Sequence, residues 1–248
     1  MTKRGVFALI AFAVVLFASP LFQRTFPEQA DNPVVGAAAV MLLAVPSFIA
    51  AWQWLGSKRA LLLLASLSLF AFIIETVGLQ TGYPYSAFTY GSGLGPLLPG
   101  GAPFSLPFAY VPLVLGALWV TWRLRAKPVL FTCAFASSLL AVDLVLDPGA
   151  VVLGLWTYVR GGLYYGVPWL NFVGWLISGA LAGGLTLMLL RSQKQSPSPL
   201  LAVSMLLHFV YWTGVAFWYA LSVPFAIGAL LILLLSYLLY RAAYGRLF

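Results

Sequence analysis

Eight apolar runs, at residues 6–22, 34–55, 60–79, 106–122, 129–146, 171–190, 200–221 and 223–240, divide the 248-residue chain. Each is close to the roughly 20 residues that a helix needs to cross a hydrocarbon layer. In lipid every backbone N–H and C=O must be satisfied within the segment, so runs of this length read as helices. The fold expected is all-α: a polytopic transmembrane helix bundle forming a single integral membrane domain over residues 1–248. With 62% apolar and 7% charged residues, against about 25% charged in ordinary domains, a soluble globular fold is excluded. The last two runs meet at Ser222-Val223-Pro224 and are together too long for one crossing, so Pro224 marks a turn. At the other end, Lys3-Arg4 followed by an apolar stretch and Ser19-Pro20 also has the form of a cleaved leader. That reading leaves seven spans.

The charges give these spans an orientation. A cytoplasmic N-terminus puts Lys3, Arg4, Lys58, Arg59, Arg123, Arg125, Lys127, Arg191, Lys194, Arg241 and Arg246 inside, eleven of the thirteen basic residues. Arg24 and Arg160 fall outside. This is the positive-inside pattern, with both termini cytoplasmic, and it needs the first span retained. The net charge of +8 is therefore read as orientation rather than as a surface for nucleic acid. One cysteine (Cys133) and one histidine (His208) leave no disulfide and no Cys or His metal cluster to build.

The chain has only five acidic residues, and three fall at or within apolar runs. Glu75 lies sixteen residues after Arg59, and Asp143 sixteen residues after Lys127, about 24 Å of helix in each case. The two should share a depth in the outer part of the membrane. Asp147 stands one turn further out on the face of Asp143. Glu28 and Asp31 also fall on the outer side. Intramembrane carboxylates are functional candidates, although Asp147-Pro148-Gly149 could equally end a helix in interfacial water. Carboxyl groups crowded in a low dielectric do not all ionise, and a neutral acid beside an ionised one is what acid–base chemistry requires.

The two largest loops, 80–105 and 147–170, fall on the same outer side and are rich in Gly, Pro and aromatic residues but poor in charge. Such loops are expected to fold back at the interface or into the bundle mouth. Trp156, Tyr158, Tyr164, Tyr165 and Trp169, with Trp175 beyond, read either as an interfacial belt or as the wall of a pocket for a polyene or carbocation. Arg160 either neutralises an acid or anchors to headgroups. Asn171 reads as an N-cap or as a ligand. His208, near mid-depth of its span, reads as a hydrogen-bonded helix contact or a base.

Two blocks resemble a known family. One is Glu75-Thr76-Val77-Gly78, Thr81-Gly82-Tyr83-Pro84-Tyr85, Phe88-Thr89-Tyr90 and Leu94-Gly95-Pro96. The other is Asp143-Leu144, Leu146-Asp147-Pro148, Gly154, Trp156, Gly162, Tyr164-Tyr165-Gly166-Val167-Pro168, Asn171-Phe172 and Gly174-Trp175. Together, over residues 75–175, they resemble the CruF-type membrane proteins of carotenoid biosynthesis, the carotenoid 1',2'-hydratases. The resemblance implies addition of water to the terminal double bond of an acyclic end group, as in lycopene, γ-carotene or bisanhydrobacterioruberin, giving a tertiary hydroxyl. It also implies a multi-pass protein of the cell membrane, with carotenoid and water as substrates and no cofactor, metal or nucleic acid. Association with other enzymes of the pathway is compatible with it.

Within that chemistry, Glu75 or Asp143 would donate the proton and Asp147 would orient or deprotonate the water. Tyr164, Tyr165, Trp156 and Trp175 would face the cation, and Tyr83, Tyr85, Tyr90 and Asn171 would contact the substrate. Arg160 and His208 are candidate supporting residues. Three rivals remain open from the sequence. They are a membrane lycopene-cyclase-like enzyme, a proton-coupled transporter using the three acids as a relay, and a non-catalytic carotenoid- or lipid-binding protein.

Overall fold

The computed structural model describes residues 3–27, 32–124 and 127–244. Glu28, Asp31, Arg125 and Arg246 lie outside the described residues. Each expected apolar run corresponds to one helix: α1 Lys3–Thr25, α2 Pro33–Leu55, α3 Ser57–Thr81, α4 Leu106–Trp122, α5 Pro128–Val152, α6 Trp169–Leu190, α7 Val203–Trp218 and α8 Ser222–Ala243. A short 3₁₀ turn, Pro199–Ala202, leads into α7. Among the described residues, six helical segments are long and apolar enough to cross a membrane, while the apolar part of α1 and α4 are shorter. The sequence starts and stops several helices in recognisable ways. Asn32 caps α2 by accepting from the amides of Val34 and Val35 at 3.0 and 3.3 Å, with Pro33 following. Gly82 ends α3 in a left-handed conformation (φ 75°).

α4 is the shortest of the expected spans after α7 and among the most enclosed. It packs against α2, α3, α5, α6 and α7, and Trp119, Val111, Val114, Leu115 and Leu118 are fully buried. A helix that is apolar on every side belongs at the centre of a bundle. The outer helices instead turn Val34, Val35, Leu42 and Ile49 on α2, Leu61, Leu62, Leu69 and Ile73 on α3, and Leu230 and Leu233 on α8 outward. That is the surface a lipid-facing helix presents.

Contacts between helix ends sort the connections into two sets. At one end, Arg24 donates to the Trp218 carbonyl, and the Val223 amide donates to Tyr165 Oη. This gathers the ends of α1 and α7, the α7–α8 turn and the loop before α6. At the other end, Trp54 Nε1 reaches the Gln195 carbonyl (3.1 Å) and Arg59 reaches Gln193 (3.1 Å), joining the α2–α3 turn to the α6–α7 linker.

The two long loops pair with each other. Phe88–Tyr90 (β1) and Trp156–Tyr158 (β2) form an antiparallel ribbon, in the register Phe88↔Tyr158, Thr89↔Thr157 and Tyr90↔Trp156. Alternation along a strand puts Phe88, Tyr90, Trp156 and Tyr158 on one face, turned toward the bundle. Thr89 and Thr157 are exposed.

α5 differs from the expectation that the chain leaves its helix at Asp147-Pro148-Gly149. It continues through Pro148 to Val152. Pro148 has no N–H to give to the carbonyl of Leu144, four residues back. Tyr164 supplies the missing donor, its Oη lying 3.0 Å from the Leu144 carbonyl oxygen. A helix can tolerate an interior proline when a neighbouring group satisfies the carbonyl it frees. Tyr164→Phe should therefore lower stability by about 1–3 kcal/mol, read by unfolding in detergent micelles. Adding Pro148→Ala, which restores the helix N–H, should recover much of that loss.

Candidate active site

Residues 71, 74, 75 and 78 recur at helical spacing and put one face of α3 toward the ribbon. Ala71 is buried, and Gly78 leaves room above it. Glu75, half-buried between them, accepts a hydrogen bond on Oε1 from Tyr90 Oη of the first strand. Burial, with the Glu75 carboxyl beside it, holds the Tyr90 phenol well above its usual range, so it remains a donor.

The other two acids are joined by one amide. Asp143 and Asp147, one turn apart on α5, are 0% and 2% exposed. Asn171 uses Nδ2 to reach both, at 3.0 Å to Asp143 Oδ2 and 2.6 Å to Asp147 Oδ2. An amide nitrogen carries two hydrogens, one for each carboxyl. Tyr158 of the second strand donates to the same Asp147 oxygen at 2.5 Å, and burial with the Asp147 and Asp143 charges keeps its phenol strongly protonated. Asp143 Oδ1 is buried without a partner. The N-cap reading of Asn171 is thereby corrected. Pro168 holds the cap position, and Asn171 sits inside the first turn of α6, where its side chain is free to cross to α5.

Most of these groups border one cavity. Glu75, Asp147 and Asn171 supply polar wall, and Tyr85, Phe88, Tyr90, Tyr110, Trp156, Tyr158 and Trp175 supply rings. Tyr85 is wedged between two helices that meet it with glycines. A Cβ on Gly78 would lie 2.9 Å from its ring, and one on Gly174 would lie 2.6 Å from it and 2.7 Å from the Pro84 carbonyl. Without these two glycines the first loop could not lie down between α3 and α6.

Of the residues singled out by sequence, Glu75, Asp147, Tyr85, Tyr90, Trp156, Asn171 and Trp175 come together around this cavity. Asp143 bonds to Asn171 and does not line the cavity. Tyr83 is 66% exposed, because the turn that buries Tyr85 directs its neighbour-but-one outward. Tyr164 is committed to Leu144, and Tyr165 to the amide of Val223. Arg160 is exposed beyond the end of the ribbon. His208 is buried in α7, its Nδ1 2.8 Å from the Ser204 carbonyl, away from the cavity. Tyr158, read from sequence as belt or pocket wall, does line the cavity, whereas Phe88 and Tyr110 were not singled out as wall residues. The signal for Phe88 was present: Phe88-Thr89-Tyr90 and Trp156-Thr157-Tyr158 share an aromatic–Thr–Tyr alternation, the period of a strand with one buried face.

A family model described as "Carotenoid biosynthesis protein" matches residues 32–235. A bisanhydrobacterioruberin hydratase of Haloarcula japonica is 37% identical over 236 residues, covering 92% of this chain and 77% of that protein. No solved structure matches. The matched span includes both loops and every residue that lines the cavity.

Replacing Asn171 with Leu strips both aspartates of a buried donor. The expected cost is about 1–3 kcal/mol for each acceptor left unsatisfied. It should appear as a lower unfolding temperature in detergent, whereas Tyr83→Phe, at an exposed position, should leave that temperature unchanged.

Proposed function

Because the chain belongs to the carotenoid biosynthesis protein family, we propose that it is a carotenoid 1',2'-hydratase. It adds water to the terminal double bond of an acyclic carotenoid end group and leaves a tertiary hydroxyl. The observation that carries this reading is the placement of Glu75. It is a carboxyl half-buried in the wall of an aromatic cavity, aimed by the Tyr90 phenol, in a chain 37% identical to a hydratase.

Glu75, in its neutral form, gives its proton to the less substituted carbon of the alkene. The π electrons form the new C–H bond, and positive charge develops on the neighbouring tertiary carbon. The ring faces of Trp156, Trp175 and the wall tyrosines attract that charge. Water forms the C–O bond and releases a proton to Asp147, which the Asn171 amide and the Tyr158 phenol hold at the cavity wall. Return of that proton to Glu75 completes the cycle, so the reaction consumes only alkene and water. Of the two donors considered from sequence, Glu75 rather than Asp143 is the one that reaches the cavity.

Eight crossings of the cell membrane, with both termini cytoplasmic and the cavity toward the extracytoplasmic side, fit this scheme and the distribution of Lys and Arg. A rod-like polyene can then enter from the lipid and present only its end group.

In cells that accumulate an acyclic carotenoid, Glu75→Gln should cut hydrated product at least about 100-fold. Tyr90→Phe, which loses only the aiming bond, should cost roughly 10- to 100-fold. Mass analysis of extracted pigment reads both. A gain of one water marks hydration and an unchanged mass marks ring closure. Full hydration by Glu75→Gln would refute the assignment.

A further inference from the structure

Asp143 has no task in the proton transfers described above, yet it is the most enclosed acid of the site, 0% exposed on α5. Four residues of helix separate it from Asp147, which puts the two on one face. One amide nitrogen, Asn171 Nδ2, bonds to both, and the two carboxyls lie within hydrogen-bonding reach of each other. Tyr158 bonds to Asp147, while the Tyr85 and Tyr164 phenols and the Glu75 carboxyl are close enough to interact with one or other aspartate. Among the described residues neither aspartate pairs with a Lys or Arg.

Two carboxyls side by side in a low dielectric, with no cation to offset them, do not both ionise, so the pair holds one proton. The donors fix where it sits. Asp147 Oδ2 accepts from Asn171 at 2.6 Å and from Tyr158 at 2.5 Å, whereas Asp143 accepts from Asn171 alone at 3.0 Å. Donated hydrogen bonds favour the ionised form, and Asp147 has the more numerous and the shorter ones. Asp143 Oδ1 is buried without a partner. That is costly for a carboxylate and much less so for a neutral acid. We propose that Asp143 carries the proton held by the pair and donates it as a hydrogen bond to Asp147, which keeps Asp147 the anion. Asp143 is a positioning residue: it stays outside the cavity and decides which of the two carboxyls bears the charge. Its part in catalysis rests on the hydratase reading above, in which an ionised Asp147 takes the proton of the attacking water.

Infrared spectroscopy of the purified protein tests where the proton is. A neutral carboxylic acid has a carbonyl band set apart from those of carboxylates, and the band moves in deuterium oxide. In Glu75→Gln protein, which removes the other neutral acid of the site, one such band should remain at neutral pH and should shift when the aspartates carry heavy carbon. Adding Asp143→Asn should abolish it, and adding Asp147→Asn instead should leave it. Absence of the band from Glu75→Gln protein overturns the proposal, as does a band that Asp147→Asn removes or Asp143→Asn leaves. The labelled Glu75→Gln protein and Asp147→Asn decide the matter if Asp143→Asn does not fold. In cells that accumulate an acyclic carotenoid, Asp143→Leu, which withdraws the donor from Asp147, should lower hydration about tenfold or more. Asp143→Asn, whose amide can still donate, should retain severalfold more product than Asp143→Leu, and equal yields from the two overturn the positioning role. A protein that shows the aspartate band and never hydrates overturns the hydratase reading while the proton stays assigned. One that hydrates without the band overturns this inference alone.

Discussion

Two phenol–carboxyl hydrogen bonds, Tyr90 to Glu75 and Tyr158 to Asp147, tie the extramembrane part of this protein to its helices. Each tyrosine comes from a different loop and each acid from a different helix. The ribbon pairs the strands, so the two bonds are geometrically coupled. Moving either loop would disturb both acids at once. Strand alternation then gives the aromatic wall without further device, since the face that carries Tyr90 and Tyr158 also carries Phe88 and Trp156. Burying carboxyl groups without donors is expensive, and here each of the three acids has one. A site built this way resists small displacements, which suits an acid that must meet one alkene carbon.

The helices below supply depth and rigidity. α4, buried on nearly every side, fixes the separation of α3 from α5 and α6, and so of Glu75 from the aspartates. Glycines at positions 78 and 174 let Tyr85 enter between α3 and α6 and close the cavity on that side. Pro148 and Tyr164 act as a pair. The proline frees a carbonyl inside α5, and the second loop reaches back to satisfy it, which also anchors that loop near Asp147.

Local signals in the sequence were enough for much of this. Span length and composition located the helices. Both are one-dimensional measures that a helix preserves. The grouping of Tyr85, Tyr90, Trp156, Asn171 and Trp175 around one cavity was also legible, because dense aromatics beside buried acids leave few other arrangements. What escaped depends on contacts between residues far apart in the chain. Asp147-Pro148-Gly149 looks like a helix end until Tyr164, sixteen residues on, is seen to replace the lost donor. Asn171 looks like a cap until α6 is packed on α5. Tyr164 and Tyr165 look like pocket residues until their hydroxyls are traced to Leu144 and Val223. Asp143 looks equivalent to Glu75 until the helices are packed, when Glu75 lines the cavity and Asp143 does not.

The claim that unites these elements is that the site adds water by proton transfer alone. Its most direct test is the origin of the product hydroxyl. Purified protein, given an acyclic carotenoid in heavy-oxygen water under an oxygen-free atmosphere, should yield a tertiary hydroxyl whose oxygen comes entirely from the solvent. A product oxygen of any other origin, or a requirement for molecular oxygen, would contradict the account.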